Sequence, residues 1–170
     1  LDTVNFPHDA YGYFYNVIDD SVINRAAASI KTDAPDLSWV YLEYTDEMGH
    51  RHGNGDTLTN AVKLLDSKLK RLWDAIQYRE KNFGEEWQLW ITTDHGRKDD
   101  GYHHGDQTDR ERATWIATNA KGLNDYFRLG NPGIIDIMPS MARHLGIDIP
   151  RDKVMEVDGI SLTGKLSATH

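Results

Sequence analysis

In WVYLEYTDEMGHRHG, residues 39 to 53, an apolar run passes directly into a stretch dense in acid, imidazole and glycine. Trp39 to Tyr44 is β-branched and aromatic, the composition of a buried strand. Thr45 to Gly55 reads as a polar loop, since Gly49 and the flanking glycines argue against a regular helix. The same succession returns further along the chain. Trp87 to Thr92 (WQLWIT) reads as a second strand and runs into Thr93-Asp94-His95-Gly96. Ala113 to Thr118 (ATWIAT) is a third strand candidate, preceded by GYHHGD at residues 101 to 106.

Helical signals lie between these strands. Ile23 to Ile30, with Lys31 and a stop near Pro35, reads as the end of a helix. Asp56 or Thr57 can cap the next helix, where Leu58, Val62, Leu65, Leu69, Leu72 and Ile76 recur at steps of three and four. That stripe belongs to a core and carries no chemistry. Ile134 to Leu145 reads as a further helix, closed by Gly146 as C-cap and then Pro150. No repeat or low-complexity linker interrupts the chain, so residues 1–170 read as a single domain. Strands alternating with helices predict an α/β fold, a largely parallel sheet with helices on both faces. In such folds ligands bind outside the carboxyl ends of the strands, where the His- and Asp-rich stretches of this chain fall.

Composition narrows the function. The chain has 170 residues, 39% hydrophobic and 27% charged, enough for one sizeable core. A net charge of −8 repels a nucleic-acid duplex or an anionic membrane over most of the surface. An anionic substrate must therefore be drawn in locally, by metal ions or a few basic side chains. The absence of cysteine excludes disulfides, thiolate zinc sites and cysteine nucleophiles. No apolar run reaches membrane-spanning length, and LDTVNFPHDAYGYF is not a signal peptide. A start at Leu1 rather than Met is read as the loss of something upstream, by processing or design.

Three clusters can hold metal. Asp46 and His50 can converge a carboxylate oxygen and an imidazole nitrogen on one cation, a mixture zinc accepts. In isolation the pair reads more simply as a solvated polar loop. Asp94 and His95 sit on a turn that Gly96 allows to be sharp; alone, such a dipeptide is commonplace. His103 and His104 are neighbours, which in an extended segment face opposite ways, so one of the two is a ligand. Five of the eight histidines (His50, His52, His95, His103, His104) fall in these loops, and that concentration favours a metal site over surface decoration. His144, near a helix C-terminus, reads as structural; His8 and His170 receive no role. Arg97, Lys98, Arg110 and Arg112 are near enough to contact phosphate, although solvated surface charge is the plainer reading of each.

Taken in order, these residues resemble the alkaline phosphatase superfamily, in its nucleotide pyrophosphatase/phosphodiesterase-like branch. Asp46-Glu47-Met48-Gly49-His50 is similar to that branch's DxxGH motif, Thr93 to Gly96 to its DHG motif, and His104-Gly105 to its later HG. PGIIDIMPSMARHLGIDIP and then Asp158-Gly159-Ile160-Ser161-Leu162 resemble its closing elements, so the likeness runs from about Asp36 to Leu162. The resemblance implies that Asp46, His50 and His104 bind one zinc and that Asp94 and His95 contribute to a second. It also implies two-metal hydrolysis of a small phosphate ester, with work in the periplasm or outside the cell as the family's habit. The family's upstream aspartate and its Ser or Thr nucleophile have no match here. The chain is accordingly expected to be the C-terminal part of a larger hydrolase domain, inactive alone and able to associate with its missing N-terminal half or with itself.

Two other readings compete. Sulfatases and a manganese-using phosphomutase share the superfamily; the histidines argue against the calcium of sulfatases, because imidazole suits zinc better. A non-catalytic metal-binding module accounts for the ligands without a nucleophile.

Overall fold

The computed structural model describes residues 13–166; His8 and His170 lie outside them. Its chain divides into two compact units, one of residues up to Trp87 with Arg97–Asp106, the other of Gln88–Gly96 with the residues from Gln107 on.

The first unit is built on α1 (Tyr13–Thr32) and α3 (Asp56–Phe83), with the short α2 (Tyr44–His52) beside them. Ile23 and Ile30 of α1, Met48 of α2, and Ala61, Leu72, Ala75 and Ile76 of α3 form its core. Burying each larger side chain contributes about 1.5–3 kcal/mol. The predicted α3 stripe holds at Leu72 and Ile76 but fails at Val62, which is 52% exposed; the seam turns through Ala61 instead. Polar ties flank this seam. Arg71 donates to Asp20 at 2.6 Å and to Asn24 at 2.7 Å. Near the end of α3, Arg79 donates to Glu85 at 2.9 Å and to the carbonyl of Lys31 at 3.1 Å, its guanidinium 3.8 Å from the Phe83 ring centre.

Three local expectations for this unit are corrected. Neither Asp56 nor Thr57 is the N-cap of α3: Gly55 is, and Asp56 is the first helical residue. Trp39 to Tyr44 is not a strand. Its backbone has no ladder partner among the described residues, Trp39 is 89% exposed, and Tyr44 already opens α2. The stretch after it is a helix, not a loop. Asp46 and Glu47 in its first turn and Arg51 in its last complement the helix dipole, and Arg51 pairs with Glu47 one turn back. These terms, with the cap described below, outweigh one internal glycine.

The second unit holds β1 (Trp90–Thr92) and β2 (Ile116–Thr118), paired antiparallel with Trp90 opposite Thr118 and Thr92 opposite Ile116. The predicted sheet was largely parallel; the two strands described run the other way. A parallel return requires a crossover of a dozen or more residues, usually a full helix. Between β1 and β2 the only helix is the four-residue α4 (Asp109–Arg112), so the chain turns back on itself. The remaining elements are α5 (Asp125–Leu129), a 3-10 turn (Ile134–Asp136), α6 (Ile137–His144) and α7 (Arg151–Val154). The predicted helix from Ile134 is thus present in two parts, and Gly146 sits just past its end with φ of 65°.

Buried polar groups fasten the tail to α6. Asp136 accepts from the N–H of Ile160 at 2.7 Å and of Gly133 at 2.8 Å. Ser140 donates to the carbonyl of Asp136 at 2.6 Å and accepts from the N–H of Leu162 at 2.8 Å. The DIMPS and DGISL elements are therefore structural partners of one another. Among the described residues no helix is long and apolar enough to cross a membrane.

Candidate metal centre

Because residues 44–52 are helical, Asp46 and His50 share one face of α2, four residues apart. Asp46 Oδ2 lies 3.3 Å from His50 Nε2. The loop of residues 97–106, in the same unit, brings His104 to them: its Nε2 is 3.0 Å from His50 Nε2 and 3.7 Å from Asp46 Oδ1. The two imidazole rings are tilted at 48° with centroids 4.9 Å apart. All three side chains are part-exposed, 27–39%, so the cluster is open to solvent.

The donor set fits a divalent cation. Two Nε2 atoms at 3.0 Å allow one hydrogen between them, and the Asp46 carboxylate lies beside both, Oδ2 toward His50 and Oδ1 toward His104. Ligands about 2.0–2.1 Å from a tetrahedral zinc are spaced about 3.3–3.4 Å from each other. His50 Nε2 stands near that spacing from both neighbours, 3.0 Å from His104 Nε2 and 3.3 Å from Asp46 Oδ2, while the 3.7 Å to His104 is measured from the other carboxylate oxygen, Oδ1. Asp46 and His104 have metal-capable atoms within coordination reach of one another.

His103 is directed elsewhere. Its Nδ1 is 2.9 Å from Asp100 Oδ2, while Asp100 Oδ1 accepts from the N–H groups of Tyr102 at 2.8 Å and His103 at 3.3 Å. His103 and these backbone donors hold the Asp100 carboxyl below its ordinary range. The side chain of His103 is 68% exposed against 28% for His104. The basic candidates are engaged: Arg97 with Asp46, Lys98 with Asp106, and Arg112 with Asp109.

In the second unit, β1 delivers the chain into Thr93 to Gly96. Thr93 Oγ1 donates to the carbonyl of His95 at 2.9 Å, and His95 Nδ1 lies 2.9 Å from the carbonyl of Gly96. A carbonyl can only accept, so Nδ1 carries a proton and is the donor of this bond. Asp94 Oδ1 is 3.7 Å from His95 Nε2, so this pair too presents a carboxylate beside an imidazole nitrogen. Gly96 is required at this turn. Its N–H donates to the carbonyl of Glu111 at 2.6 Å, and a Cβ would collide with the carbonyls of Arg110 and Ala113, backbone atoms that cannot step aside. Glu111 is itself buried in a capping box with Thr108, whose hydroxyl donates to it at 2.6 Å.

Sequence reading missed three supporting residues. Thr108-x-x-Glu111 spells a capping box and was legible. Asp19, on α1, is 2% exposed and accepts from the N–H groups of Glu43 at 3.1 Å and Tyr44 at 2.9 Å, capping α2 from a distance no local pattern reveals. Burial pushes its carboxyl above the ordinary value, against the pull of those two donors and of Lys68. Arg97, read more simply as solvated surface charge and otherwise as a phosphate contact, is bound to Asp46.

Among curated proteins the chain is similar to two 2,3-bisphosphoglycerate-independent phosphoglycerate mutases. The one from Gracilaria tenuistipitata var. liui is 28% identical over 69% of this chain and 22% of its own length. The one from Mesoplasma florum is 24% identical over 77% of this chain and 24% of its own. The chain thus spans about a quarter of the length of these relatives. No solved structure matches it significantly. Residues 2–146 match the family described as Type I phosphodiesterase / nucleotide pyrophosphatase, a span that contains all three ligand clusters and leaves the DGISL tail outside. With that match covering most of the sequence, the chain belongs to the type I phosphodiesterase/nucleotide pyrophosphatase family of the alkaline phosphatase superfamily.

Proposed function

We propose that this chain is the metal-ligand-bearing part of a two-metal phosphoester hydrolase of phosphodiesterase or nucleotide pyrophosphatase type. The observation that most supports this is the meeting of Asp46, His50 and His104 at 3.0–3.7 Å in a member of that family. In this reading those three hold one zinc, and Asp94 and His95 contribute to a second, with manganese as the alternative occupant of either. Two such cations stabilise the attacking and leaving oxygens of an in-line displacement. The protein's part is to supply one carboxylate and neutral imidazoles at fixed spacing, on a capped helix and a tightly turned loop. The substrate is a small phosphate ester, and the family's habit places the enzyme in the periplasm or outside the cell.

The single hydrolase domain, its largely parallel sheet and its Ser or Thr nucleophile extend in this proposal beyond these 170 residues. The quarter-length coverage of the relatives supports that. The isolated chain is then a zinc binder without turnover. Calorimetric titration with zinc tests the first part: His50→Ala should remove most of the affinity, and unchanged binding would reject the ligand set. Robust zinc-dependent hydrolysis of bis-p-nitrophenyl phosphate by the 170-residue chain would reject the second.

The two mutase relatives favour a second reading, a phosphomutase that passes the phosphoryl group to a hydroxyl instead of to water. Reaction of the enzyme containing this chain in ¹⁸O-water separates the two. Hydrolysis puts label into the phosphoryl group of its product, whereas a mutase isomerises its phosphomonoester without label.

A further inference from the structure

We infer that Arg97 is a positioning residue of the metal centre, a strut that fixes the Asp46 carboxylate and locks α2 to the loop carrying His104. The inference rests on the metal-centre reading above and adds a residue that the DHG motif does not include.

Four acceptors surround one guanidinium. Arg97 Nη2 donates to the Asp46 carbonyl at 2.6 Å and also to Asp46 Oδ1. Its Nη1 faces the carbonyls of Gly101 at 3.4 Å and Tyr102 at 3.3 Å. One group therefore reaches both a backbone and a side-chain oxygen of a ligand residue, and the turn just before His104. Holding Oδ1 leaves Oδ2 turned toward His50, 3.3 Å away. The side chain is 13% exposed, too enclosed for a solvated surface charge.

Gly49 makes this placement possible. A Cβ on Gly49 would run into the guanidinium of Arg97 at Cζ, Nε and Nη2. The glycine inside α2, which costs helix stability, has a steric purpose: it opens the helix surface for the strut. Groups that orient metal ligands from outside the coordination shell typically matter by about 10- to 100-fold in metal affinity. The guanidinium charge opposes a nearby cation, so the two effects carry opposite signs and a titration distinguishes them.

The test is zinc chloride titration of the 170-residue chain by calorimetry, beside amide exchange without metal. Arg97→Ala should weaken zinc binding about 10-fold or more with helix content retained, and should speed exchange across residues 100–104 in the metal-free protein. Arg97→Lys, which keeps the charge but loses the fork, should recover only part of the affinity. Gly49→Ala should weaken binding when Arg97 is present and change it little in the Arg97→Ala background, where the space is vacated. That non-additivity is not expected of a residue that only stabilises the fold. Zinc affinity of Arg97→Ala within twofold of the parent, or tighter, would overturn the inference while leaving the centre intact if His50→Ala still abolishes binding. No zinc binding by the parent would remove the centre and this role together.

Discussion

The carboxylate of Asp19 caps the helix that begins at Tyr44, accepting that residue's N–H at 2.9 Å across 25 positions of sequence. With the second bond, to the N–H of Glu43 at 3.1 Å, it satisfies two backbone donors at the start of α2, for which Glu43 itself provides no side-chain cap. Asp19→Ala should therefore destabilise the protein by about 1–2 kcal/mol, the usual cost of losing a cap and stranding its partners. Urea unfolding would measure it, and amide exchange should report the loss first in residues 44–47.

Zinc affinity should distinguish the adjacent histidines. His104→Ala deletes a ligand of the proposed centre and should weaken binding by more than about 100-fold, beyond what removal of an outer-shell group costs. His103→Ala breaks only its contact with Asp100 and should change affinity by less than about 10-fold. The reverse ranking in a calorimetric titration would assign the ligand to His103.

The pH dependence of stability should carry the mark of Glu85. Arg79, and secondly Trp87, hold its carboxyl at about 2, down from 4.5. Its folded-state value is depressed, so its contribution is complete above about pH 4.5 and is lost as pH falls through about 2. Glu85→Gln should flatten the acid limb of a stability profile in that window and leave its shape above pH 5 unchanged, as read by urea midpoints at each pH.

Ser140 and Leu162 are fully buried, and the serine hydroxyl is the acceptor for the leucine N–H. Ser140→Ala strands that N–H in the interior of the second unit and should cost about 1–3 kcal/mol. Ser140→Thr, which retains the hydroxyl, should cost less if its methyl is accommodated; urea unfolding of the two variants makes the comparison.

Legibility followed the range of the interactions. Helix α3 was visible because a core-facing stripe repeats every three to four residues, although Val62 shows that the seam's exact course depends on the partner helix; of α1 only the end was legible, from its stop signals near Pro35. The proposed ligands Asp46 and His50 were nameable from type and order, and His104 over His103 from the family resemblance. Their geometry was not, because Gly49 was weighed as a helix breaker when Arg97, 48 positions away, is the reason for it. Trp39 to Tyr44 has strand composition, but a strand exists only with a ladder partner, and composition cannot name one. The antiparallel pairing of β1 and β2 was hidden likewise, since it depends on how little helix forms between them.

His50 and His104 stand 54 residues apart, and the 28 residues of α3 lie entirely between them. A cation gripping both would act as a removable staple around the longest helix among the described residues. Closing so long a loop costs the unfolded chain entropy that grows only with the logarithm of its length, and an ion that binds the folded form alone adds stability in proportion to the logarithm of its own concentration. The persistence of α3 would then follow the zinc supply of its surroundings. A chelator would loosen a helix that contributes no ligand at all.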